Sequence, residues 1–253
     1  MAKKTVLEIV QEILSDMSSD EVLDIDDTIE AQQVATILES TFFDILGTRN
    51  WPHMRKLVQL EASGSTDYPN YLVLPERLKE LVTIRYDKRK LGDTASRYED
   101  LKYVYPDEFL RMTSQRKSDA DNVVVVVDAS GVELNIFNDK APMYWTSFDD
   151  LNIVTDAWDV AVDTTLKKSK TQCVAYIIPE WDRANDAIPD LPLEAYVAFI
   201  EEAKSTCFYQ LKQMANQKSE QKASRHNRWL SRKAWRAKGG VRYDNYGRKT
   251  NAN

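Results

Sequence analysis

Val6, Ile9, Val10, Ile13, Leu14 and Met17 recur every three or four residues, which predicts an amphipathic helix over residues 4–17. The acidic stretch SSDEVLDIDD follows and has too few apolar positions for a long element. Asp27 with Glu30 three residues on predicts a helix start, Asp capping a backbone N–H and Glu reaching back to it. Ile29, Val34, Leu38, Phe42 and Ile45 then share one face, and Gly47 is expected to end this second helix.

After Trp51-Pro52 the period shortens. Leu57–Leu60, Tyr71–Leu74, Leu81–Tyr86, Met143–Phe148, Leu151–Val154 and Cys173–Ile178 are short β-leaning runs between turn residues. Pro106 to Phe109 predicts a helix of one or two turns, because proline suits the first helical position. Asn122–Asp128 and Val132–Phe137 flank Ala129-Ser130-Gly131 and predict a hairpin. Val123 to Val127 is an all-valine run that cannot alternate with polar positions, so burial on both faces or cover by a neighbour is expected, with Asp121 and Asp128 as gatekeepers.

Past Ile188-Pro189-Asp190-Leu191-Pro192 the helical period returns. Leu193, Tyr196, Val197, Ile200, Ala203, Cys207, Leu211 and Met214 form an apolar stripe, and Cys207 on it reads as a core residue. The stripe stops at Asn216, yet no Gly or Pro occurs before Gly239-Gly240. A helix continuous from Leu193 to Lys238 would extend ~70 Å, its second half leaving the globule. The chain is therefore expected to be α+β, with two N-terminal helices (1–50), a β-rich domain (51–184), a C-terminal helix (185–217) and an extended arm (218–253). The helices would form one body into which the β-rich domain is inserted.

Charge sharpens this division. The chain of 253 residues carries a net charge of −6. Residues 218–253 hold eleven basic residues against two acidic ones, a net +9 that leaves −15 on the rest. Such a tail can reach for an acidic protein surface or for nucleic acid. Trp229, Trp235, Tyr243 and Tyr246 argue against a merely solvating terminus. A composition of 43% hydrophobic and 29% charged residues is that of a globular protein. Two cysteines exclude a disulfide scaffold, and no apolar run is long enough to cross a membrane. The opening MAKKTVLEIVQEILSD lacks a long apolar core and a small-residue cleavage site, so no secretory signal is expected.

Catalytic motifs are sparse. His53 and His226 have no second histidine or cysteine at ligand spacing, and there is no phosphate loop, HExxH, GxSxG or CxxC. Asp149, Asp150, Asp156, Asp159 and Asp163 could converge on two metal ions as in a nuclease, although turn capping is the plainer expectation. Glu76 followed by Asp100 and Lys102 loosely matches a nuclease core, in a pattern too short to carry weight. No cofactor and no enzymatic activity are expected.

The order of parts carries a resemblance. DIDDTIEAQQVATILESTFFDILGTRNW, YLVLPERLKELVTIRY, NDKAPMYWTSFDD and WDVAVDTTLKKSK precede the amphipathic helix, and the basic arm contains RYDNYGR. In this order the chain resembles the tail tubular protein A family, the head-to-tail adaptor (connector) proteins of short-tailed bacteriophages. The resemblance implies a virion structural protein, made in the host cytoplasm and forming a ring, usually a dodecamer, beneath the portal protein. Such a ring receives the tail nozzle or tail tube and continues the channel through which double-stranded DNA passes during ejection; no membrane is involved. An acidic body suits such a conduit, since a wall that attracted phosphates would slow passage. Partner binding to portal or to a neighbouring subunit then falls on Arg225, Arg228, Trp229, Arg232, Trp235, Arg236, Tyr243 and Tyr246, because Trp and Arg are enriched among interface hot spots. The competing expectation is a nucleic-acid-binding protein that uses the same basic tail.

Overall fold

A computed structural model of the chain describes the backbone of residues 3–236 and the side chains of residues 3–230. The elements run α1 (Val6–Asp16), α2 (Ile29–Thr48), β1 (Arg55–Val58), β2 (Glu61–Ala62), β3 (Tyr71–Val73), β4 (Leu78–Asp87), β5 (Tyr98–Asp100) and β6 (Lys102–Tyr103). They continue with α3 (Pro106–Ser114), β7 (Val123–Val127), β8 (Glu133–Phe137), β9 (Tyr144–Thr146), β10 (Asn152–Thr155), β11 (Thr171–Ile177), α4 (Leu193–Lys212) and α5 (Gln217–Arg236). The chain is thus α+β, and it divides into two compact units, one of Met1–His53 with Pro179–Asn253 and one of Met54–Ile178.

The first unit contains α1, α2, α4 and α5. Thr5 caps α1 in a capping box with Glu8, which satisfies two N–H groups otherwise left without partners. Val6, Ile9, Val10, Ile13 and Leu14 turn inward, as do Val34, Leu38 and Phe42 of α2 and Phe199, Ala203 and Cys207 of α4. Phe42 packs against Trp181 and Phe199, with ring centroids 5.0 and 6.4 Å away. Buried Lys204 of α4 donates to Glu12 (2.6 Å) and lies 2.7 Å from Asp16, tying α4 to α1. α2 starts differently from the expectation. Thr28 is the cap, accepting from the Ala31 N–H, while Asp27 accepts from the Leu23 and Asp24 N–H groups in the preceding turn. Gly47 does not end the helix, which runs to Thr48 and stops where Arg49 becomes extended.

The second unit holds a four-stranded sheet in the order β1-β11-β4-β5, a five-stranded sheet β2-β3-β10-β9-β6, and the two-stranded hairpin β7-β8. Its core gathers Leu72, Ile84, Phe109, Leu134, Ile136, Ile153 and Trp158. Arg116 stitches the hairpin to the β9–β10 region. Its guanidinium sits 4.0 Å from the Phe137 ring centroid and donates to the Asn135 and Asp156 carbonyls at 3.0 and 2.7 Å. The valine strand departs from its expected burial on both faces. Val123 and Val126 are buried, one on each face of the strand, but Val124, Val125 and Val127 remain 37%, 38% and 50% exposed. With β8 as its only paired strand among the described residues, β7 has one unpaired edge.

The largest correction concerns the last helix. The helical stretch is not continuous from Leu193 to Lys238. Gln213 adopts a left-handed conformation (φ 53°, ψ 31°) and closes α4, and the Asn216 side chain accepts from the Ser219 N–H to open α5. The chain reverses there, and α5 packs along α4 instead of leaving the globule.

Candidate functional site

The packing of α5 fixes which residues it can offer. Ser219, Ala223 and Leu230 are buried, spaced four and seven residues apart along one face. Their small side chains at the first two positions allow α5 to approach α4 closely. Lys222 donates to Glu201 of α4 at 2.8 Å, and Lys212 at the end of α4 lies 2.8 Å from Glu30 of α2. The carboxyl of Glu202 is pushed above its ordinary range by burial and by the nearby charges of Asp44 and Glu220. The opposite face of α5 is exposed and carries Gln217, Glu220, Gln221, Ser224, Arg225, Arg228 and Trp229.

The expected binding residues fall into three groups. Arg225, Arg228 and Trp229 are exposed together on this face, at i, i+3 and i+4, with Trp229 48% exposed. Arg232, Trp235 and Arg236 belong to α5 by backbone, but their side chains lie outside the described residues. Tyr243 and Tyr246 lie outside the described residues altogether.

The aspartates do not converge. Asp149 accepts from the Leu151 and Asn152 N–H groups at 2.9 and 2.8 Å, and Asp159 from the Ala161 N–H at 3.1 Å. Asp156 is buried, takes the Met143 and Tyr144 N–H groups and faces Arg116 at 3.4 Å. Asp163 lies 2.5 Å from Lys170, and Asp150 sits in an exposed turn. Asp100 pairs with Arg85 at 2.6 Å, while Glu76 and Lys102 are exposed. Among the described residues no group of three or more His, Cys, Asp and Glu could hold a metal ion. Nor is any described helix long and apolar enough to cross a membrane.

A concave site that the sequence reading did not anticipate lies in the second unit, with a volume of about 440 Å³. Leu134 of β8 and Val154 of β10 form its buried floor. Leu110 of α3, Val132 and Phe148 rim it. Two carboxylates, Asp128 and Asp149, stand among the lining residues. No local motif announces this cavity, because its walls come from four separate stretches of chain.

Comparison with protein-family models finds none that matches the chain, and comparison with curated proteins finds no significant match.

Proposed function

We propose that the protein is a head-to-tail adaptor of a short-tailed phage virion, a structural component and not an enzyme. It would form a ring between portal and tail nozzle or tail tube, continuing the DNA channel. In this reading the helical unit is the ring body, the β-rich unit is inserted into it as a second docking surface, and the basic, aromatic C-terminal segment engages portal or a neighbouring subunit. The order of sequence elements supplies the family resemblance. The observation that carries the reading is the outward face of α5, where Arg225, Arg228 and Trp229 stand exposed on an otherwise acidic chain. The backbone of a helix already docked on its own chain needs no ordering on binding, and cationic and indole side chains suit an acidic, grooved protein surface.

Charge reversal tests this at three exposed positions of α5. Arg225→Glu, Arg228→Glu and Trp229→Ala combined should leave the circular dichroism and melting temperature unchanged and abolish capture by immobilised portal protein. Undiminished capture would refute the assignment. If the same variant lost binding to duplex DNA while portal capture persisted, the nucleic-acid reading would replace it.

A further inference from the structure

The cavity in the β-rich unit combines an apolar mouth with two carboxylates. Leu110, Phe148 and Val132 on its rim are 37%, 40% and 47% exposed, an apolar mouth left uncovered. Its lining contains two acids and no basic residue.

Both carboxylates are held ready. Burial opposes ionisation of Asp128, but hydrogen bonds from the Ser130 hydroxyl and N–H and from the Tyr71 hydroxyl outweigh it and keep the group below its ordinary range. Asp149 is likewise held low despite burial, by the Asn152 and Leu151 N–H groups and the Asn152 amide. The groups that hold the two carboxylates are hydroxyls, a side-chain amide and backbone N–H groups.

A segment of matching chemistry exists in the chain. Residues 237–253 contain Lys238, Arg242, Arg248 and Lys249 against one acid, Asp244. Both of their tyrosines neighbour an arginine, as Arg242-Tyr243 and as Tyr246-Gly247-Arg248.

We infer that the cavity of one copy receives the Arg242–Arg248 segment of a second copy, with a tyrosine ring on the apolar floor and an arginine on Asp128 or Asp149. The inference rests on the ring-forming reading above and names the contact that joins neighbours in the ring. The volume accommodates one phenol ring and the stem of an adjacent arginine, within the range of side-chain and ligand pockets. Charge attraction between a +9 C-terminal segment and a −15 remainder favours the contact, and the ring-forming reading assigns it to neighbouring copies.

The test has two parts. A fluorescent peptide of residues 238–250 is titrated into full-length protein carrying Tyr243→Ser and Tyr246→Ser, and anisotropy is read. Saturable binding is expected, weakened at least tenfold by Leu110→Arg and, separately, by the isosteric Asp149→Asn. No binding, or binding indifferent to both variants, overturns the inference. Full-length protein with a benzophenone amino acid at position 243 is then irradiated as an equal mixture of ¹⁴N and ¹⁵N copies, with and without portal. Mixed-isotope cross-links to residues 128–134 or 148–154 are expected; links confined to one isotope overturn the exchange between copies. Portal capture without peptide binding would sink this inference alone. Peptide binding and mixed-isotope links without portal capture would sink the adaptor reading alone.

Discussion

Leu230 and Trp229 are adjacent in sequence and opposite in consequence, and this pair tests whether α5 is docked on α4. Leu230 is 3% exposed and Trp229 is 48% exposed. Replacing Leu230 with Ala removes apolar surface from a nearly complete burial. Core Leu→Ala changes cost about 2–5 kcal/mol, and a site on the outermost helix, free to relax, belongs at about 2 kcal/mol. That loss falls on local opening and not on the whole molecule, because only α5 must lift away. A detached twenty-residue helix is marginal in water, so its amides exchange once it lifts. At about 1.4 kcal/mol per factor of ten, amides of residues 221–230 should exchange about thirtyfold faster in Leu230→Ala. Those of α1 and α2 should keep their rates. Trp229→Ala should change the same amides by less than about threefold. Hydrogen exchange read by mass spectrometry decides the matter. Unprotected α5 amides in the unaltered protein, or equal effects of the two substitutions, would refute the docking argument.

The valine strand gives a second contrast: Val125→Lys should cost under about 0.5 kcal/mol, whereas Val126→Lys, burying a charge in the hairpin core, should cost several. Equal losses of melting temperature would restore the expectation of a strand covered on both faces. The Lys204 cluster sets a pH dependence. Burial opposes the charge on Glu12, but the Lys204 and Lys4 ammonium groups outweigh it and hold its folded-state titration below the ordinary value near 4.5. That contribution is present above the unfolded pKa and is lost as pH falls through the folded one. Lys204 is raised by Asp16 and Glu12 against its own desolvation, so its share is present below about 10.5 and is lost as pH rises through the folded value. In urea titrations the stability advantage over Lys204→Met should therefore be largest near neutrality and shrink towards pH 3; a difference constant across that range would contradict the ion-pair assignment.

Elements with a strong period were legible in the sequence. The 3.6-residue stripe of α1 and most of α4 follow from side-chain spacing alone, and the β7–β8 hairpin from the Ala129-Ser130-Gly131 turn between two β-leaning runs. The course of α5 was not, and the reason is specific. Ser219 and Ala223 are small, so the buried face of α5 does not register as an apolar stripe, and the end of the α4 stripe at Asn216 read as a helix leaving the protein. Asn216 is in fact a helix cap, a polar signal that a search for Gly and Pro passes over. Exposure along β7 was equally hidden, since an all-valine run does not say which of its side chains faces water. The two- and three-residue strands β2, β5 and β6 are set by pairing with distant partners and have no period of their own. Of the candidate binding residues, Arg225, Arg228 and Trp229 are exposed together on α5, and that common face could not be read from sequence because it depends on which side of α5 meets α4. The cavity between α3, the hairpin and β10 depends wholly on tertiary assembly.

Electron microscopy of the full-length protein bound to portal examines the central claim at the residues that carry it. The expected map shows Ala223 and Leu230 seated on α4 of their own chain, with partner density covering Arg225, Arg228 and Trp229. A ring in which that face is bare, or in which α5 has left α4, would contradict the account.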